Sequence, residues 1–127
     1  MAAWICAAYR LRHIIHSVSL NFLFICSKNR LRSPTAEAVF CNYQGVDAVG
    51  AGTSKDSETP LSGDLIEWAD IVFVMERVQK SKVTAKYSAL LRDKRLVVLG
   101  IPDRFEFMQS ELVELLKEKV NRYCPST

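Results

Sequence analysis

From residue 21 onward the chain is punctuated by four short runs in which nearly every side chain is apolar, β-branched or aromatic. They are Asn21–Cys26 (NFLFIC), Val46–Ala51 (VDAVGA), Asp70–Met75 (DIVFVM) and Arg95–Leu99 (RLVVL). Each is strand-length, and because the apolar residues run on rather than alternate, each is expected to be covered on both faces. Between the runs, apolar residues recur at helical spacing: Ala36, Val39, Phe40 and Tyr43, then Leu61, Leu65 and Trp68, then Val78 to Leu91 less regularly. A last helical segment carries Leu112, Leu115, Leu116, Val120 and Tyr123, with Ser110 at its expected N-cap, Glu111 and Glu114 in its first turn, and Lys117, Lys119 and Arg122 toward its end. Strands alternating with helices predict right-handed crossovers and a three-layer αβα sandwich around a four-stranded parallel sheet. Ligands of such sheets bind beyond the carboxyl ends of the strands, so chemistry is expected just after Cys26, Met75 and Leu99.

Residues 1–19 stand apart from this pattern and read as an N-terminal extension, helical or loosely ordered, ahead of one catalytic domain over 20–127. Their apolar stretch is too interrupted for a membrane span, lacks the basic start of a secretory signal, and resembles a transit peptide only faintly. A chain of 127 residues buries enough surface to fold without disulfides or a structural metal. Cys6, Cys26, Cys41 and Cys124 show no CxxC spacing and no histidine at ligand spacing, so zinc and a disulfide framework are both poor readings. Cys41 and Cys124 read as small buried hydrophobes, and four thiols fit a reducing, cytoplasmic setting. Neither a cofactor nor a metal is expected: GxxxxGK[ST] and HExxH are absent, and Gly50-Ala51-Gly52 lacks the third glycine of a dinucleotide fingerprint.

Charge narrows the ligand. The first 36 residues carry Arg10, Arg12, Lys28, Arg30 and Arg32 and no acid, whereas residues 37–127 carry 12 basic and 14 acidic side chains. Three of the five early cations lie within five residues, and no basic stripe of nucleic-acid length exists elsewhere. The expected partner is a small anion rather than nucleic acid or a membrane.

That cluster follows the first strand, in Cys26-Ser27-Lys28-Asn29-Arg30-Leu31-Arg32-Ser33-Pro34. Pro34 suits the first position of a helix and Ser33 the cap before it. A short loop from strand into helix aims several backbone N–H groups at one point, an anion cradle in which Ser27, Lys28, Asn29, Arg30 and Leu31 would surround the substrate. The amides, the helix dipole and Arg32 would all favour the Cys26 thiolate. A thiolate beside a bound phosphate is a nucleophile toward phosphorus, and the forked guanidinium of Arg32 can hold two phosphate oxygens.

The stretch Phe22–Phe40 (FLFICSKNRLRSPTAEAVF), followed by Gly50-Ala51-Gly52-Thr53-Ser54, resembles the low-molecular-weight protein tyrosine phosphatases, in particular their short, compact members. The resemblance runs from about Asn21 to Arg122. It implies that Cys26 becomes a phosphocysteine, Arg32 clamps the phosphate, Asn29 shapes the loop and Ser33 hydrogen-bonds the thiolate. It also implies a metal-independent hydrolase acting on phosphotyrosine in proteins or on small phosphate esters, with phosphate, sulfate or vanadate as pocket ligands.

Expelling the leaving oxygen needs a proton donor from a neighbouring loop. The resemblance places it in Gly100-Ile101-Pro102-Asp103-Arg104-Phe105-Glu106, where the family carries Asp-Pro-aromatic. Asp103 is the acid/base candidate, Glu106 its reserve, and Phe105 the expected wall of the pocket, with core packing as its alternative. Arg104 stands in place of the family's proline, Leu31 in place of a second cysteine, and Lys28 where glycine is frequent. Two other readings stay open on the residues alone: an arsenate reductase relaying through Cys41 and Cys124, and a phosphate-binding module without turnover.

Overall fold

The structure, a computed structural model, describes residues 19–27 and 31–125. The expected extension falls almost wholly outside that range, as do Lys28, Asn29 and Arg30. The elements run β1 (Leu20–Cys26), α1 (Arg32–Phe40), β2 (Val46–Gly52), α2 (Gly63–Trp68), β3 (Ile71–Val74), α3 (Arg77–Leu91), β4 (Arg95–Val98) and α4 (Ser110–Val120), closed by a 3-10 turn at Asn121–Tyr123. All four strands are parallel, in the order β2-β1-β3-β4. The expected α/β sandwich is what forms.

Burial explains the apolar runs. Alternate residues of β1 serve opposite layers: Phe22, Phe24 and Cys26 join the core under α1 and α4, while Leu23 and Ile25 join the core under α2 and α3. Phe24 stacks between Phe40, at 5.5 Å and 19°, and Phe73, at 5.0 Å and 14°. Each fully buried aromatic of this kind contributes about 1.5–3 kcal/mol through its removal from water. Register then aligns the strand ends: Cys26 lies opposite Gly52, Ile25 opposite Val74, and Val74 opposite Val98. The loops after β1, β3 and β4 therefore open at one edge of the sheet.

Three expectations are corrected. The first helix starts at Arg32 with Leu31 as its cap, not Ser33, because the Leu31 carbonyl accepts both the Thr35 N–H (3.1 Å) and the Thr35 hydroxyl (2.6 Å). Pro34 then falls at the third helical position, where a missing N–H still costs nothing. The last helix is preceded by Gln109 rather than capped by Ser110; the Gln109 side chain turns back to accept the Glu106 N–H at 2.9 Å. Finally, Cys41 is disulfide-bonded rather than a thiol, while Cys26 and Cys124 keep theirs. Among the described residues no helix is long and apolar enough to cross a membrane.

Candidate active site

β1 delivers Cys26 to the open edge, 3% exposed. The backbone there is pinned from the side of β2: the Cys26 carbonyl accepts the Thr53 N–H at 3.0 Å and the Ser27 carbonyl accepts the Ser54 N–H at 2.8 Å. The chain re-enters regular structure at Arg32, the first residue of α1. A buried arginine must have its charge met, and two loops meet it. Nη1 donates to Glu76 Oε1 at 2.6 Å and to the Ile101 carbonyl at 2.8 Å, and Nε lies 3.8 Å from Asp103 Oδ1. Both close contacts engage Nη1, while on the Nε side of the fork the nearest acid among the described residues is Asp103.

Glu76 and its neighbour Gln79 escaped the sequence reading. Glu76 follows β3 and caps α3: its carboxylate accepts the Gln79 N–H while Gln79 Oε1 accepts the Glu76 N–H at 2.6 Å. Gln79 is fully buried, and its Nε2 donates to Ser27 Oγ at 3.1 Å. One reciprocal cap thus holds the guanidinium of Arg32 with one hand and the loop after Cys26 with the other. The sequence did carry a trace of it, a Glu-x-x-Gln directly after an apolar run. Its function was hidden because Arg32 and Ser27 lie 44 and 52 residues away.

The loop after β4 supplies Asp103, whose side chain is 64% exposed. It leaves the strand through Gly100, whose φ of +69° suits glycine, and is tied at its far end where the Met108 N–H reaches Thr35 Oγ1 at 2.9 Å. Phe105 is 4% exposed and packs in the core with Leu112 and Leu116, so its ring is not presented to solvent. Arg104 covers it from outside, 5.3 Å from the ring centroid. The apolar side chains this loop exposes are Phe107 and Met108.

Of the expected site residues, Cys26, Ser27, Arg32, Ser33 and Asp103 gather at one edge, and Leu31 immediately precedes α1. Ser33 is fully buried, and its hydroxyl finds no hydrogen-bond partner among the described residues. The cysteines expected for a relay are elsewhere. Cys41 follows the far end of the nine-residue α1, about 13 Å of helical rise from the site. Cys124 lies beyond the 3-10 turn, and burial pushes its thiol up to about 11. The same burial, aided by Cys124 and Glu114, raises the nearby Tyr43 phenol. What remains at the edge is a thiol, a half-engaged guanidinium and an exposed carboxyl group, a set able to bind a tetrahedral oxyanion and exchange protons beside it.

Solved structures with the same arrangement of elements exist. YwlE arginine phosphatase from Geobacillus stearothermophilus superposes with a TM-score of 0.66 at 22% identity, over 82% of this chain and 92% of that one. The tyrosine phosphatase Wzb from Escherichia coli K30, in complex with phosphate, gives 0.66 at 17% identity, over 84% and 96%. A low-molecular-weight phosphotyrosine phosphatase from Vibrio cholerae O395 gives 0.66 at 15% identity, over 83% and 94%. The chain has the fold of the low-molecular-weight phosphotyrosine phosphatases. No sequence-family model matches it, and no curated protein sequence does. Within the low-molecular-weight phosphatase fold, the edge that carries Cys26, Arg32 and Asp103 is the carboxyl edge of the sheet, where this class of sheet binds its ligands.

Proposed function

We infer that the protein hydrolyses phosphate monoesters, on phosphorylated proteins or small phosphate esters, through a phosphocysteine. The observation that carries the reading is the approach of Arg32 Nε to Asp103 Oδ1, 3.8 Å apart, at the sheet edge where β1 ends in Cys26. The phosphatases among the solved neighbours lend it support. Cys26 Sγ attacks phosphorus as the bond to the leaving oxygen breaks, and Asp103 delivers its proton to that oxygen. Water then attacks the phosphocysteine, Asp103 takes back a proton, and the S–P bond breaks to release phosphate and the thiolate. The Nε–Nη2 edge of Arg32 holds the equatorial oxygens throughout. Ser33, whose buried hydroxyl has no partner among the described residues, is the group we assign to donate to the departing thiolate.

The phosphorylated amino acid stays open in this reading. The neighbours include both an arginine and a tyrosine phosphatase, and Phe105 lies in the core rather than at the surface. Arsenate reduction is disfavoured by the positions of Cys41 and Cys124. Turnover of p-nitrophenyl phosphate with vanadate competition is the test. Cys26→Ser is expected to abolish turnover while retaining phosphate binding, and Asp103→Asn to lower kcat by about 10²–10⁴-fold, the usual worth of a positioned acid. Full activity in Cys26→Ser sinks the reading, and phosphate binding without any wild-type turnover replaces it with a non-catalytic module.

A further inference from the structure

A groove leads away from the candidate site between α3 and β4. Arg77, Lys80, Ser81 and Thr84 of the helix form one wall, and Val98 and Gly100 form the other. Both charged residues of the lining, Arg77 and Lys80, are cationic and exposed.

The second wall is the edge of the sheet, since among the described residues β4 pairs with β3 alone. Leu99 and Ile101 donate their N–H groups inward, to the carbonyls of Val74 (2.9 Å) and Met75 (2.9 Å). Alternation along the strand then turns the N–H and C=O groups of Val98 outward, beside the groove, before the chain bends at Gly100. A Cβ placed on Gly100 would meet nothing within 4 Å, which shows how open this wall is. An unpaired strand edge is a template for another strand.

The groove is continuous with the site. Arg77 follows Glu76, the partner of Arg32, and Gly100 precedes Ile101, whose carbonyl also holds Arg32. An extended segment lying on β4 would reach the Cys26 edge within about three to five residues, at roughly 3.3 Å per residue.

We propose that this groove binds an extended, acidic segment of the phosphorylated protein substrate, a few residues from its phosphorylated side chain, by strand addition to β4. Main-chain bonds to Val98, at the end of β4, fix the register, and Arg77 and Lys80 select acidic side chains. A second copy of this chain is a poorer occupant: its β4 edge brings the same two cations against these. The proposal rests on the phosphatase reading for the substrate's identity, although binding to the groove can be measured without it.

Phosphopeptides with Glu, Ala or Lys flanks separate the possibilities when kcat/KM is compared with that for p-nitrophenyl phosphate. The acidic flank is expected to raise kcat/KM by about tenfold over the basic one at low salt, falling as ionic strength rises. The double variant Arg77→Glu/Lys80→Glu is expected to reverse that preference and leave p-nitrophenyl phosphate turnover unchanged. N-methylating alternate amides of the acidic flank is expected to abolish the gain without altering charge. Equal kcat/KM for acidic and basic flanks overturns the proposal, and so does full retention of the gain by the N-methylated peptide. A loss of p-nitrophenyl phosphate turnover equal to the peptide loss in the double variant also overturns it. If wild type turns over nothing, the hydrolase reading fails by itself, and anisotropy with an unphosphorylated acidic peptide still decides the groove. Self-association abolished by the double variant, with no peptide binding, assigns the edge to a second copy and overturns the substrate assignment.

Discussion

Truncating Glu76 separates what holds Arg32 from what merely lies near it. The carboxylate accepts Arg32 Nη1 at 2.6 Å and caps α3. A charge-assisted hydrogen bond is worth about 1.5–3 kcal/mol, and an N-cap about 0.5–2 kcal/mol. The Glu76 side chain is 40% exposed whereas that of Arg32 is 3% exposed, so water relieves part of the loss on one side only. Values in the lower half of each range follow, and Glu76→Ala is expected to cost about 2–3 kcal/mol. For a chain of 127 residues that is a fall in Tm of about 10 °C. Glu76→Gln keeps an acceptor for Nη1 and for the helix N-terminus and is expected to cost about 1 kcal/mol.

The two variants should also part company in oxyanion binding. The alanine frees the guanidinium to turn and is expected to weaken phosphate or vanadate binding about tenfold, or about 1.4 kcal/mol. The glutamine keeps the tether and removes a negative charge, so its affinity should equal or exceed that of wild type. Because Asp103 Oδ1 is 3.8 Å from Arg32 Nε, adding Asp103→Asn to Glu76→Ala should cost more than the two changes separately. Urea unfolding and vanadate inhibition measure both quantities. Loss of less than about 0.5 kcal/mol in the alanine variant, or identical behaviour of the two, refutes the tether.

Two further outcomes follow from buried groups. Gln79→Met keeps the volume of a fully buried side chain but leaves the Glu76 N–H and Ser27 Oγ without their partner; a loss of about 1–3 kcal/mol is expected by urea unfolding, with weaker vanadate binding, and an unchanged midpoint and inhibition constant refutes it. Burial holds the Cys124 thiol protonated up to about 11, above its ordinary value of 9.0, so the folded chain keeps a proton that the unfolded chain releases first. The resulting stability is present below pH 9 and is lost as pH rises through 11; unfolding free energies at pH 8 and pH 11 should fall further in wild type than in Cys124→Ala, and parallel declines contradict this.

The layers of the fold were legible because burial on both faces leaves a continuous apolar run, which Phe22 to Cys26 and Ile71 to Val74 both show. Helix ends were less so. The start of α1 turns on a carbonyl, that of Leu31, which accepts twice from Thr35, and no residue preference reports that. Phe105 marks another limit. Its spacing from Asp103 is visible, but which side of the loop takes the ring is decided by Leu112 and Leu116 on a helix that follows. Cys26, Arg32 and the loop between them are local in sequence and so were readable together. Glu76 and Gln79 act across the fold, and only the pairing of β1 with β3 brings them to the loop they hold.

That hidden pair changes the meaning of the charge asymmetry. Five cations without an acid in the first 36 residues suggest a loop that draws anions by net charge. Arg32, however, is met by Glu76 at 2.6 Å, with Asp103 close by, so its positive charge is largely spent inside the protein. Its contribution to binding an oxyanion is therefore directional: a fork held by one nitrogen so that its other edge presents two N–H groups at a fixed angle. In the proposal for the groove, attraction of acidic flanking residues falls to cations without such a tether, Arg77 and Lys80. Attraction of the substrate and alignment of its phosphate are thus carried by different residues, and a variant can lose one while keeping the other.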